Sequence, residues 1–199
     1  MKLAKRRTAT RESILEAARE IARQEGWGAV TVRRVAEKIA YTPPVIYEHF
    51  AGKDAMLAEL QSMGFTMLAD SVTAASAAPD PEDGLLQVAD VYWRFAFDHP
   101  ELYQIMHGWE SKALSSEQTL EGARRAGAAA MVALDAWARA TGTTLGDPQG
   151  AIETVWALLH GMVSVTMLER IGGEAPKAKL LADRALRDLL SAWAAHGQG

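Results

Sequence analysis

The sequence contains no cysteine, which excludes disulfides, thiol catalysis, thiolate zinc sites and thiol redox sensing. It also lacks a long apolar run. The most apolar stretch, Val155 to Leu168, is interrupted by His160, Gly161, Ser164 and Thr166, too short and too polar to span a bilayer. The basic N-terminus (Lys2, Lys5, Arg6, Arg7) leads into Thr8 and Thr10 with no apolar segment behind it. A secretory signal is therefore not expected, and the expected compartment is cytoplasmic. β-Branched runs are scarce: Val30-Thr31-Val32 is the only short one, and Val35, Ala36 and Ile39 follow it at helical spacing. There is no internal repeat and no low-complexity linker. His99, His107 and His160 lack close metal-ligand spacing, so neither a metal nor another cofactor is expected.

What is present is an ordinary globular composition of 199 residues, 49% hydrophobic and 23% charged, enough for one generous domain or two small ones. The net charge of −4 conceals an asymmetry. Residues 1–54 carry eleven Lys/Arg against seven Asp/Glu, whereas residues 55–199 carry ten against eighteen. A small basic segment on a larger acidic body suits a protein that meets a polyanion through its first part alone. By itself the asymmetry is a weak pointer, because many chains are unevenly charged.

The apolar pattern is helical nearly throughout, so the fold class is all-α. Ile14, Leu15, Ala18, Ile21 and Ala22 form one stripe, and Gly26 is placed to end that helix. A second short helix is expected over 32–40, entered near Thr31. A third starts near Thr42, with Pro43 and Pro44 in its first turn, where missing N–H groups cost nothing. A long helix follows from Lys53 to Ala78, stopped by the segment from Pro79 to Gly84. Further helices are expected over 85–98, 101–109 and 116–141. Asp147-Pro148 then opens a helix to about Ile171, and a last one covers Pro176 to Ala195.

Three short helices with a tight turn between the second and third are the makings of a helix-turn-helix. The third must enter the DNA major groove end first, so its start must be small and free of acidic groups. Thr42-Pro43-Pro44-Val45 meets that requirement, while Ile46 and Phe50 can anchor the helix inward. The runs Thr31-Val-Arg-Arg-Val-Ala-Glu-Lys-Ile, Thr42-Pro-Pro-Val-Ile-Tyr-Glu-His-Phe and Gly52-Lys-Asp resemble the DNA-binding signature of the TetR family of bacterial repressors. The resemblance covers roughly residues 10–60. The later Trp156, His160 and Gly161 resemble the Trp-x-x-x-His-Gly motif of one subgroup.

The resemblance implies an N-terminal DNA-binding domain over 1–54 and a C-terminal ligand-binding and dimerisation domain over 55–199. It implies that Tyr47, His49 and Lys53 hydrogen-bond DNA phosphates and that Thr42 caps the recognition helix. It also implies that Arg33 reaches a base edge, and that Pro43, Pro44 and Val45 form the base-facing turn, where they offer only apolar contact. Singly, His49, Lys53 and Arg34 read as ordinary surface charges; their joint spacing gives them weight. One departure concerns the turn, where the family usually has glycine and this chain has Ala40. Alanine tolerates a left-handed conformation poorly, so a reshaped turn is expected.

Five of the six tryptophans fall in residues 93–193. Trp93, Phe97, Tyr103, His107, Trp109, Trp156 and His160 are the candidates for lining a pocket that takes a small-molecule effector; plain core packing is the competing reading for each. Stripes at Ile152, Val155, Leu159, Val163 and Met167, and at Ala178, Ala182, Ala185, Leu186, Leu189 and Trp193, mark the last two helices as the expected homodimer contact or as core of their own subunit. The expected partners are therefore double-stranded DNA, an effector and a second copy. The expected function is a DNA-binding transcriptional regulator, a repressor released by its ligand, with an activator on the same scaffold as the alternative. An α-helical enzyme using His160 with Glu153 or Glu169 is the rival from another class. No Ser-His-Asp or metal constellation accompanies those residues, so no enzymatic activity is expected.

Overall fold

The computed structural model describes residues 2–78, 80–108, 117–171 and 175–196, and side chains other than those of residues 2–7, 9, 82 and 118. Among them it contains nine α-helices and one 3-10 turn, and no strand. The helices are α1 (Lys2–Glu25), α2 (Val32–Lys38), α3 (Pro43–Tyr47), α4 (Lys53–Ser76), α5 (Pro81–Asp98), α6 (Pro100–His107), α7 (Glu117–Thr141), α8 (Pro148–Met167) and α9 (Ala175–His196). The turn occupies Trp27–Ala29.

The helix boundaries follow from local chemistry. The basic N-terminal residues are the first turns of α1, which starts at Lys2. Gly26 ends that helix at φ +82°. Thr31 caps α2 by accepting from the Arg34 N–H, and Asp147 caps α8 by accepting from the Gly150 N–H at 2.9 Å. Prolines open α3, α6 and α8 from the first turn. Pro81 opens α5 in the same way, four residues before the expected start at 85.

Two compact units are present. One comprises residues 1–66 and 99–121, and the other residues 67–98 and 122–199. In the first, α1 packs against the 3-10 turn, α2 and α6, and α2 packs against α3. Its core holds Ile14, Ala18, Val30, Val35, Ala36, Ile46, Met56 and Leu60, all fully enclosed. In the second, α5, α8 and α9 pack mutually, around Leu85, Val155, Val163, Ala178 and Leu186.

Most of the two stripes on the last two helices serves this second core, while Met167, Ala185, Leu189 and Trp193 are half-buried. Ile152, Val155, Leu159, Val163, Ala178, Ala182 and Leu186 are all buried within the single chain. These residues are spent on the subunit's own interior. What α8 and α9 leave uncovered is a different set, described below.

Candidate nucleic-acid interface

The turn between α2 and α3 is set by hydrogen bonding at the end of α2. The Ala40 N–H donates to the Glu37 carbonyl at 3.2 Å, and the Tyr41 N–H reaches back to the Ala36 carbonyl at 2.9 Å. This paired pattern requires a left-handed residue between them. Ala40 supplies it at φ +56°. The turn is thus not reshaped to suit alanine; the backbone keeps the left-handed geometry and the methyl group bears the strain.

The result positions α3. Ile46 is fully buried and Phe50 nearly so, and burying each aliphatic or aromatic side chain of this size is worth about 1.5–3 kcal/mol. That burial faces the five-residue helix with its other side outward. Thr42, Pro43 and Pro44 are exposed, Val45 and His49 half-buried, and Tyr47 is 59% exposed. Thr42 occupies the cap position, but its side chain makes no capping bond. The cause is the sequence that follows: Pro44 has no N–H to offer, and the Val45 N–H is taken by the Thr42 carbonyl at 3.0 Å. The expected side-chain cap is therefore absent, and the hydroxyl faces outward.

Arg33 stands out from α2, its side chain 83% exposed, and donates from Nε to Glu37 Oε1 at 2.8 Å. An exposed i,i+4 pair is weak and easily exchanged for another acceptor. Arg34 is held differently. It grips the Glu25 carboxylate through both terminal nitrogens, and this hydrogen bonding holds the Glu25 carboxyl below its ordinary range. Arg34 thus braces α2 against the end of α1. Lys53, in the first turn of α4, donates from Nζ to the Trp27 carbonyl at 2.8 Å. Arg11 lies over the Phe50 ring, 4.7 Å from its centroid, and pairs with Glu59 at 2.7 Å.

One feature of this unit was not legible in the sequence. Glu101, in the first turn of α6, is only 2% exposed. Its Oε1 accepts from Arg19 Nε and Nη2 at 3.1 and 2.9 Å and from Arg23 Nη2 at 3.0 Å. Its main-chain carbonyl accepts from the Trp27 indole at 2.9 Å. Burial alone would raise the Glu101 carboxyl, but hydrogen bonds from Arg23, its own backbone and Arg19 outweigh that and hold it below the usual range.

The pocket candidates fall into separate groups. In the first unit, Tyr103 is buried and its ring lies 4.7 Å from that of His107, which also meets Phe65 edge-on at 5.6 Å. In the second unit, Trp93 and Phe97 stack at 5.1 Å. Trp156 and His160 stack nearly parallel at 5.3 Å and 11°, and Tyr92 Oη lies 3.4 Å from His160 Nδ1. Burial lowers the pKa of His160. Trp156 is nonetheless 48% exposed. Trp109 lies outside the described residues. A cavity of about 530 Å³ in the second unit is lined by Thr144, Asp147, Thr154, Trp193 and His196 among others, and by none of these candidates.

On α8 the face away from the core carries Ala157, Gly161 and Val165, continued by Leu168 at the helix end, all exposed, at the spacing of one helical stripe. Leu180 and Leu181 are exposed on α9.

Comparison with known proteins bears on both parts of the chain. Residues 14–60 match the family described as bacterial regulatory proteins, tetR family. Residues 85–189 match the tetracyclin repressor-like C-terminal domain. The HTH-type transcriptional regulator YobS of Bacillus subtilis (strain 168) is 34% identical over 95 residues, 48% of this chain and 50% of that protein. The chain thus spans about half the length of that curated relative. A protein of unknown function from Rhodococcus sp. RHA1 has a similar structure, with a TM-score of 0.81 at 19% identity, covering 92% of this chain and 95% of that one. The transcriptional regulator PfmR from Thermus thermophilus follows at 0.71 and 22%, covering 89% and 96%. At such identities the structural likeness speaks for the fold.

Proposed function

The chain belongs to the TetR family of bacterial regulatory proteins, and on that premise we propose that it is a DNA-binding transcriptional regulator, a homodimeric repressor that leaves a palindromic operator when a small molecule binds. Residues 1–54 read the DNA, and residues 55–199 hold the effector and the second copy. The observation that carries this reading is the construction of α3. Ile46 and Phe50 fasten it inward while Thr42, Pro43, Pro44 and Tyr47 are left exposed. Tyr47, His49 and Lys53 contact phosphates, and Arg33, freed from Glu37, pairs with a guanine edge. Pro43, Pro44 and Val45 meet the groove as apolar surface.

The dimer forms through the exposed stripe of Ala157, Gly161, Val165 and Leu168 with Leu180 and Leu181. Two recognition helices can then reach successive major grooves, about 34 Å apart. Trp156, His160 and Gly161 are the basis for placing the chain in the Trp-x-x-x-His-Gly subgroup. Trp93, Phe97, Tyr103, His107, Trp109, Trp156 and His160 remain the residues proposed to meet the effector. A near-complete switch requires that effector to prefer the released state by roughly 5 kcal/mol.

Fluorescence anisotropy with the DNA upstream of the protein's own operon tests the core of this. Affinity should fall steeply with salt, and Tyr47→Phe and Lys53→Ala should each weaken binding. Lys53→Ala should also flatten the salt slope by about 0.9, since its ammonium neutralises a phosphate, whereas Tyr47→Phe removes an uncharged donor and should leave the slope alone. Unchanged affinity in both variants, with an unchanged slope in Lys53→Ala, would remove the phosphate assignments.

A further inference from the structure

Lys53, read above as a phosphate contact, is tethered to the 3-10 turn, and the turn in turn is fastened to α6. The Lys53 ammonium donates to the Trp27 carbonyl at 2.8 Å. The Trp27 indole N–H donates to the Glu101 carbonyl at 2.9 Å. Trp27 thus bonds with its main chain on one side and its side chain on the other. The far end of the tether is firmly held, because the buried Glu101 carboxylate is gripped by Arg19 and Arg23 from α1.

We propose that Trp27 is a positioning residue for DNA binding, holding the Lys53 ammonium toward the phosphate through its carbonyl while its indole is anchored by Glu101. This rests on the reading of Lys53 as a phosphate contact. The chemistry suits the task. An ammonium carries three N–H donors on a flexible four-carbon stem. Giving one donor to a fixed carbonyl leaves two for phosphate oxygens and removes much of the stem's freedom before DNA arrives. Ordering the stem in advance lowers the entropy lost on binding. The carbonyl can do this only if the turn itself is held. The Val30 N–H, which donates to the same carbonyl at 3.2 Å, and packing on α1 hold it locally, and the indole bond ties it to α6. The position of the first turn of α6 is thereby felt at the DNA-facing cation without passing through the recognition helix.

A double-mutant cycle tests the proposal, with Trp27→Phe and Lys53→Met in the full-length protein. The probe is a random-sequence duplex of roughly 30 base pairs, titrated between about 50 and 200 mM salt, since phosphate contacts act on any sequence. Phenylalanine keeps the aromatic body and loses the donor. Trp27→Phe should weaken binding on the order of three- to tenfold in the parent protein and add nothing in the Lys53→Met background. Additive losses, or no loss from Trp27→Phe while Lys53→Met weakens binding, would overturn the proposal and leave the phosphate contact standing. If Lys53→Met changes neither affinity nor salt slope while Tyr47→Phe weakens binding, the phosphate role of Lys53 falls and the positioning role with it. Glu101→Gln, which loosens the same anchor without changing its size, carries the same cycle should Trp27→Phe not fold.

Discussion

At Ala40 a side-chain-bearing residue sits at φ +56°, and the same hydrogen-bond pattern recurs at two other helix ends. Gly142 closes α7 at φ +67° and Glu169 closes α8 at φ +53°. In each the next N–H reaches five residues back, from Thr143 to Ala138 at 2.8 Å and from Arg170 to Val165 at 2.9 Å. One geometry is therefore met by three residue types, only one of which is free of the left-handed penalty. That penalty is about 1–2 kcal/mol for an L-residue, offset by the extra unfolded-state freedom of glycine, about 0.4–1 kcal/mol. Ala40→Gly and Glu169→Gly should each stabilise the protein by about 0.5–1 kcal/mol, and Gly142→Ala should destabilise it by a similar amount. Urea unfolding at constant m-value checks all three signs. A stabilised Ala40→Gly that also binds DNA less tightly would mean that the stiffness of alanine at this turn serves recognition.

Helix ends were legible because they are written locally. Pro43, Pro44, Gly26 and the Asp147-Pro148 pair announced their boundaries in the sequence, and the structure places α3, α1 and α8 accordingly. The start of α5 was misplaced for a related reason. Pro79 and Pro81 read as a stop, yet Pro81 is the opening residue of the next helix, since proline ends one helix and begins another with equal ease. The Thr42 side chain was misjudged because its partner N–H groups are removed or occupied by the two residues after it. Contacts between distant elements carry no such local mark. Glu101 lies 82 residues from Arg19 and 74 from the Trp27 indole it receives, and in the sequence it is an ordinary acidic residue in the first turn of a helix. Its connection between α1 and α6 makes a measurable prediction. A free Glu titrates near about 4.3; in the folded protein Glu101 is held lower. Its contribution is fully present above the unfolded value and is lost as pH falls through the folded one, because the unfolded chain then binds more protons. Stability measured from about pH 6 to about pH 3 should therefore fall less steeply in Glu101→Gln than in the parent. At the upper pH the variant should be weaker by about 2–3 kcal/mol, at or below the low end for breaking a buried pair. That reduction follows from Arg23, whose side chain is 43% exposed and can turn to water, whereas that of Arg19 is 12% exposed.

For the molecule as a whole, the proposed dimer turns on which surface of α8 and α9 would meet a second copy. Hydrophobic periodicity found two stripes but could not say whether they face inward or across an interface, since both demand apolar side chains. Burial of Val155, Leu159, Val163, Ala178, Ala182 and Leu186 answers for the inward set. What remains is Ala157, Gly161, Val165 and Leu168 on the other side of α8, smaller and more widely mixed with polar neighbours, and so faint in the sequence pattern. A two-fold axis makes a contact self-complementary, so one substitution there enters the interface twice. Val165 is 36% exposed in the single chain, so a carboxylate at this position can reach water with little disturbance of the subunit's own packing. Val165→Glu should therefore keep its helical signal and sediment as a monomer at micromolar concentration, while Val165→Thr, similar in shape, should remain dimeric. Because a lone recognition helix reaches only one half-site, Val165→Glu should also lose preference for a palindrome over a single half-site and retain only salt-sensitive, sequence-blind binding. A Val165→Glu protein that still sediments as a dimer would place the interface elsewhere. A monomer that still selected the palindrome would show that one head suffices for recognition.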